Sequence, residues 1–426
     1  MLLNFILVLN LISLTVLNAI VFDPEDLSKY SQDPTTYTKN IKPLDIQLKK
    51  RLYKEFMTSY FSPWKITKMP ISKKSATWGE NYSKMKVYGE NYRLITQKWF
   101  INVIELSNMD SFDTIRQRAI TVRNANLRLF PSDKPIFKDY KRAGEGYPFD
   151  YNQNSSVNIN SPLFISHYSK DKAWAFVSTS FASGWMITRD IAIVDEDVIR
   201  KFKNEDKYFV AVKDDFPIYK SGVFKDYIKL GTIFPLRNKK LAMVIRDNTG
   251  KGYISRIDNN KNIVSFPIKF NKNNINNIIN QLIDKPYGWG GYLGNRDCSL
   301  LTKDALTPFA FPMKRNSYAQ LKNGKYISFE GKTNKQKKQY IKKYGVPFLS
   351  LIYIKGHIAL YLGVKHNEPI IFHNMWGVKT IKDGQQGRFI VGKSVISTLE
   401  IGQELKNYDY KHNILSKVKG IVILSK

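Results

Sequence analysis

The sequence predicts a multidomain α+β protein: a helical N-terminal region, two small β-barrels in tandem and a C-terminal α+β domain. Three observations carry this reading. The chain has 426 residues, more than one typical core accommodates. Near residue 112 the helical periodicity gives way to short alternating runs punctuated by turns. At 271–286 a strong helical pattern returns and opens a new domain.

The first nineteen residues, MLLNFILVLNLISLTVLNA, are apolar, and no charged side chain follows until Asp23. They read as a secretory signal segment ending at the small residue Ala19, with an uncleaved anchor as the alternative. No Lys or Arg precedes the apolar run, and no cysteine nearby offers a site for acylation. The helical region spans 20–111. In PLDIQLKKRLYKEFMTSYFSPW, Leu44, Leu48, Leu52, Phe56 and Tyr60 recur every four residues on one helical face, and Pro63 stops the helix. A second apolar stretch, 93–106, is expected to pack against the first. The tetrapeptide GENY occurs at 79–82 and 89–92, a chance recurrence or a pair of similar turns.

Residues 112–200 and 201–269 read as the two barrels. In AWAFVSTS, Trp174, Phe176 and Ser178 share one face of a strand while Ala175, Val177 and Thr179 take the other. DEDVIRKFKN (195–204) is the break between the units. The last domain is 270–426. It opens with Ile275, Ile278, Ile279, Leu282 and Ile283 on one helical face and ends that helix at Pro286.

Lys and Arg total 67 against 36 Asp and Glu, a net charge of +31. The basic residues are spread along the chain, with one short dense run at 331–343. For an exported protein, the anionic cell envelope is the expected electrostatic partner rather than nucleic acid. A general bias toward Lys and Asn accounts for much of the excess. The location expected is the periplasm or the extracellular wall.

The chain contains one cysteine, Cys298. It is either a small buried apolar residue or the reactive group. Asp297 precedes it and suits an N-cap, with helix formers following to Pro308. A helix N-terminus favours a thiolate and is expected to lower the cysteine's pKa. Of five histidines, His357 and His373 flank a predicted hairpin built from strands 348–354, 357–364 and 369–376. Direct cross-strand pairing of the two would centre the turn on Lys365. Together with a capped cysteine they make a nucleophile, a base and an orienting group. The competing chemistry, a Cys/His/His zinc site, lacks a second cysteine or a suitable His spacing. No metal or cofactor is therefore expected.

YGWGG (287–291), RDCS (296–299), RNSYAQ (315–320), GHIALYLG (356–363) and IIFHN (370–374) follow one another in an order that resembles the NlpC-type papain-like cysteine peptidases of bacterial cell walls. Upstream, FSPW and GENY resemble that family's helical N-terminal stabilising region. The segment from YPFDYNQ onward is similar to its first bacterial SH3-like barrel, and 207–268 to its second. The resemblance implies a papain-like fold for 270–426, with Cys298 as nucleophile, His357 as general base and His373 as its orienting partner. It also implies that Tyr287 helps hold the reacting carbonyl, and that Asp297, Ser299 and Ser317 line the subsite for the free amino end of a stem peptide. The expected partners are peptidoglycan stem peptides or muropeptides, acted on by a monomer. Two departures from the family pattern stand out: Leu300 replaces the usual glycine, and FAFPMKRNS is longer than usual. Leu300 raises the expectation of an altered substrate preference. A non-catalytic wall-binding protein, or an amidase or acyltransferase on the same fold, is the alternative reading.

Overall fold

The computed structural model describes residues 23–39, 41–203, 207–237 and 240–426. The expected signal or anchor segment, 1–19, lies outside the described residues.

Helix α1, Ile46–Tyr60, starts where the Asp45 carboxylate accepts the Leu48 amide at 2.8 Å. Leu48 and Leu52 are buried on its inner face. The chain then turns through Ser62–Trp64, and the FSPW motif becomes a wedge. Phe61 and Trp64 pack with Ile120 and Ala192 of one β unit and with Tyr208, Val210 and Phe266 of the next. The Trp64 indole N–H donates to the Ala119 carbonyl at 2.7 Å. Helix α2, Gln97–Leu106, is capped by Thr96. Contrary to expectation it does not pack on α1: Phe100 and Val103 join Leu129, Phe130 and Ile136 of the first β unit. The two GENY copies also differ. Residues 79–82 form part of a 3-10 helix, while 89–92 form a turn in which Tyr92 has a φ of 59°.

The first β unit contains β1 (Gln117–Thr121), β2 (Ala125–Arg128), β3 (Gln153–Val157), β4 (Pro162–Tyr168), β5 (Trp174–Ser178), β6 (Ser183–Ile187) and β7 (Ile191–Ile193). They form one sheet in the order β3-β2-β6-β5-β4-β1-β7. Helix α3, Glu196–Lys203, follows. The second β unit holds β8 (Tyr208–Ala211), β9 (Phe216–Lys220), β10 (Val223–Ile228), β11 (Ile233–Arg237), β12 (Lys240–Arg246), β13 (Gly252–Arg256) and β14 (Ile263–Ser265). Here β9 and β10 stand apart as a hairpin, and the other five order as β13-β12-β11-β8-β14.

The C-terminal domain begins with α4, Lys272–Asn280, capped by Asn271 and burying Ile275, Ile278 and Ile279. Helix α5, Cys298–Leu306, and α6, Asn334–Tyr344, accompany a six-stranded antiparallel sheet. Its strands are β15 (Lys325–Ser328), β16 (Ser350–Ile354), β17 (His357–Lys365), β18 (Glu368–Lys382), β19 (Gln385–Ser397) and β20 (Val418–Ile423), in the order β15-β20-β16-β17-β18-β19. The largest core joins α5 (Leu301, Ala305, Leu306), the sheet (Ile358, Leu360, Phe372) and α4 to Tyr30, Leu44, Leu48 and Leu52 of the N-terminal region. The helical region thus packs against the C-terminal domain as well as the β units.

Candidate active site

Cys298 is the first residue of α5. The Asp297 carboxylate caps that helix by accepting the Leu300 amide at 2.8 Å. Its other bonds come from the Ser299 hydroxyl, the Gly290 amide and two nitrogens of the Arg315 guanidinium, the shortest at 2.8 Å. Arg315 holds the carboxyl below its usual range although burial pushes the other way. The structure adds a partner that the sequence did not show: Asp297 borders the cleft with its carboxylate paired to a buried arginine. Arg315 lies in the RNS motif two residues before Ser317, and its role was not read from the sequence. Its Nε also donates to Ser155 of β3 at 2.7 Å, which ties the site to the first β unit.

The cysteine departs from expectation. Burial, and next the Asp297 carboxylate, push its thiol up to about 12. The amides of Ile358 and Ser299 point at the sulfur and act in the opposite direction, as a helix start should, without winning. The resting group is a thiol.

His357 opens β17 and half emerges into the same cleft. Burial takes its imidazole down to about 4. His373 is fully buried in β18 and is held well below the ordinary histidine range, again by burial first. The two are not direct cross-strand partners. The hairpin turns at His366–Asn367, and a bulge between Tyr361 and Gly363 shifts the register so that Leu360 faces Phe372. The rings meet diagonally all the same: His357 Nε2 lies 2.9 Å from His373 Nδ1. His373 Nε2 in turn lies 3.0 Å from Ser397 Oγ, and that hydroxyl donates to the Thr398 carbonyl at 2.8 Å. This chain assigns the protons. Ser397 has one hydrogen and spends it on Thr398, so it accepts from His373 Nε2–H. His373 Nδ1 then accepts from His357 Nε2–H, which leaves His357 Nδ1 as an unprotonated base. Ser397 was not singled out in the sequence, and no local signal marks it.

A cleft of about 520 Å³ runs past these groups. Its walls include Tyr287, Asp297, Cys298, Ser299, Ser317 and His357, six of the seven residues expected at the site; His373 stands behind His357. The Tyr287 ring packs in a cluster with Phe149 and Trp376, with centroids 5.7 and 6.1 Å away. Burial keeps its hydroxyl protonated. Phe149, Tyr151, Gln153 and Phe181 of the first β unit line the opposite wall, together with Trp78 and Tyr82 from the helical region. Among the described residues, the second β unit contributes nothing to this cleft. Leu300 borders two smaller cavities and is not among the residues that line this cleft.

Backbone proximity binds the first β unit to the YGWGG loop. Gly290 has a φ of 63°, and a Cβ there would lie 2.4 Å from the Gln153 carbonyl oxygen. One at Gly291 would come equally close to Ser156 Oγ. Only glycine permits this approach.

The fold and site define a multidomain α+β protein in which a buried, helix-capped cysteine and a histidine pair share a cleft walled by an SH3-type unit. Comparison with known proteins gives the same answer. Residues 1–112 match the N-terminal stabilising domain of NLPC_P60 proteins, and residues 135–187 match an SH3 domain of the SH3b1 type. The solved structure of an NlpC/P60 endopeptidase from Photobacterium damselae subsp. piscicida superposes with a TM-score of 0.85 at 25% identity, covering 93% of this chain and 98% of that one. An NlpC/P60 family protein from Bacillus cereus ATCC 10987 aligns over 72% of this chain and 100% of its own at 12% identity, but its TM-score of 0.44 is too low to add to the argument. No curated protein matches. The chain thus has the fold of an NlpC/P60 endopeptidase and, over residues 1–112 and 135–187, is similar to the stabilising and SH3b1-type domains of such multidomain proteins.

Proposed function

We propose that the protein is an exported cysteine endopeptidase that hydrolyses peptidoglycan stem peptides at the bond between D-γ-glutamate and a diamino acid. The observation that carries it is the proton chain from Thr398 through Ser397 and His373, which leaves the cleft-facing His357 with an unprotonated Nδ1 in the cleft that holds Cys298.

In this reading His357 Nδ1 takes the thiol proton as the sulfur attacks the substrate carbonyl. The neutral resting pair suits a proton transfer coupled to attack rather than a preformed ion pair. Amides at the start of α5 stabilise the oxyanion, and Tyr287 helps hold the carbonyl. Protonated His357 then donates to the leaving amine, and a water activated by the same ring releases the acyl-enzyme. His373 steadies the imidazole and its tautomer throughout. Ser317 and Ser299 lie on the wall assigned to the amino end of the peptide, with the Asp297–Arg315 pair behind them. The first β unit and the helical region narrow that end, so free stem peptides are favoured over intact wall. Faster cutting of intact, crosslinked sacculi than of free L-Ala-γ-D-Glu-diamino acid peptides would refute the closed amino-end subsite.

The test of class and bond is mass spectrometry of purified muropeptides incubated with wild type and Cys298→Ser. A defined mass loss seen only with wild type supports the proposal. Unchanged muropeptides with both, alongside retained wall binding, would make the protein a binding module instead.

A further inference from the structure

A second cavity, of about 220 Å³, opens where β2, the end of β3 and residues 293–296 meet, and it shares no lining residue with the cleft. Its buried apolar lining is Ala125, Val157 and Leu300, the last standing where the family pattern has glycine. Among the described residues, every charged side chain on its wall already has an opposite partner. Arg296 is bonded to Asp214 and Asp304 at 2.7 and 2.8 Å, and Lys229 to Asp215 at 2.6 Å. In a chain of net charge +31, this wall has no spare charge to offer an ion. The uncommitted groups are neutral. The Asn295 side chain is half-buried, and among the described residues neither its amide oxygen nor its amide nitrogen has a partner. Asn158 donates its Nδ2 to the Leu230 carbonyl at 3.2 Å and keeps its Oδ1 open. Asn126 Oδ1 accepts from Gln153 at 2.9 Å, and its nitrogen stays open. Such amides donate and accept at one wall, which suits a ligand rich in hydroxyls and amides.

The cavity continues onto an aromatic row. Asn124, on its wall, donates an amide N–H to the Tyr227 carbonyl at 2.6 Å. Tyr227 of β10 packs with Phe224, and Phe224 with Tyr219 of β9, at centroid distances of 5.3 and 6.2 Å. All three rings are exposed. Exposed aromatic rings held together beside a cavity mark an interaction surface, and their flat apolar faces match the C–H faces of sugar rings.

We infer that this cavity, with the Tyr219–Phe224–Tyr227 row beside it, binds a chain of neutral N-acetylated amino sugars. One sugar enters the cavity, where its acetamide pairs with the open amides of Asn295, Asn158 and Asn126 and its methyl group lies against Leu300. Neighbouring sugars stack on the aromatic row. The amide pairing selects an acetamido sugar over one that carries only hydroxyls, and the paired charges leave nothing to favour an anionic one. The site lies outside the cleft, so it holds a sugar chain without competing for the groups around Cys298.

Full-length wild type is titrated calorimetrically with chitotetraose, a peptide-free chain of N-acetylglucosamine, and with cellotetraose, its counterpart without acetamide groups. Chitotetraose is expected to saturate the protein and to bind about tenfold more tightly, the scale of one neutral hydrogen bond. Asn295→Ala and Tyr227→Ala should each weaken it about tenfold at an unchanged melting temperature, since one side chain has no partner in the protein and the other is exposed. Flat heats with chitotetraose, equal affinity for the two sugars, or binding that survives both substitutions overturns the site. The probes carry no peptide, so the outcome is independent of the peptidase reading.

Discussion

At the scale of single residues, burial sets the charge of Cys298 and of the His357–His373 pair that share the cleft region. The sign of the thiol shift depends on burial, and on how near the capping carboxylate lies to the sulfur, neither of which a one-dimensional pattern contains. With Cys298 raised to about 12 and His357 lowered to about 4, the resting site is a neutral pair at pH 7. Alkylation of Cys298 in the free protein should therefore be slow near neutrality and climb with pH. Rapid alkylation, flat between pH 5 and 8, would indicate a standing thiolate and refute this assignment. The same shift has a consequence for stability. The folded pKa of His357 lies below its ordinary value near 6.5, so the unfolded chain binds the extra proton between those limits. The contribution of a neutral His357 is complete above about 6.5 and is lost as pH falls toward about 4. Urea midpoints measured across that window should decline with acidification.

At the scale of elements, the hairpin of β17 and β18 shows why a correct pattern gave the wrong pairing. Period-two alternation assigns His357 and His373 to their strands. The bulge at Tyr361–Gly363 inserts a residue that no composition signal announces, so the histidines meet diagonally instead of directly. The long β18–β19 extension beyond residue 376 was also unread, since its lysines and glutamines give no alternating apolar face. The short helical turn Asp26–Lys29 is another silent element. Asp26 is buried, and its Oδ2 accepts both the amide and the hydroxyl of Thr398 at 2.7 Å. Thr398 is the residue whose carbonyl receives the Ser397 hydroxyl, so the N-terminal segment anchors the far end of the proton chain. Gln32 adds a second clamp, donating to the Ile396 carbonyl and accepting its amide, both at 2.8 Å. Asp26→Ala strands a buried amide and hydroxyl and should cost about 1–3 kcal/mol of stability. Asp26→Asn should cost far less. Both bonds go to one oxygen, which an amide reproduces, and burial already disfavours the charge. Equal losses for the two variants in chemical denaturation would show that the charge itself matters.

At the scale of the whole molecule, the order of α and β segments follows from changes in hydrophobic period, which is why the fold class was legible. The joints between segments are long-range and were not. Arg296 donates to Asp214 of the second β unit at 2.7 Å and to Asp304 of α5 at 2.8 Å, while Arg315 links Asp297 to Ser155 of the first. The FSPW wedge is shared by both β units, and α1 contributes Leu48 and Leu52 to the same core as Leu301 and Phe372. The first β unit and the C-terminal domain each hold a core of their own, but buried salt bridges and two larger shared cores cross the boundaries between segments. The chain should therefore unfold as one cooperative unit rather than segment by segment. Leu52→Ala gives a direct test. Leu52 lies far from the cleft in sequence, and its truncation removes buried surface and leaves a cavity, a loss of about 2–5 kcal/mol. If the core is shared, fluorescence from Trp289 and Trp376 at the cleft and far-ultraviolet dichroism from the whole chain should shift to lower denaturant together and by the same amount. Two separated transitions, with the cleft tryptophans holding their wild-type midpoint, would mean that the helical region melts independently and that the C-terminal domain stands on its own core alone.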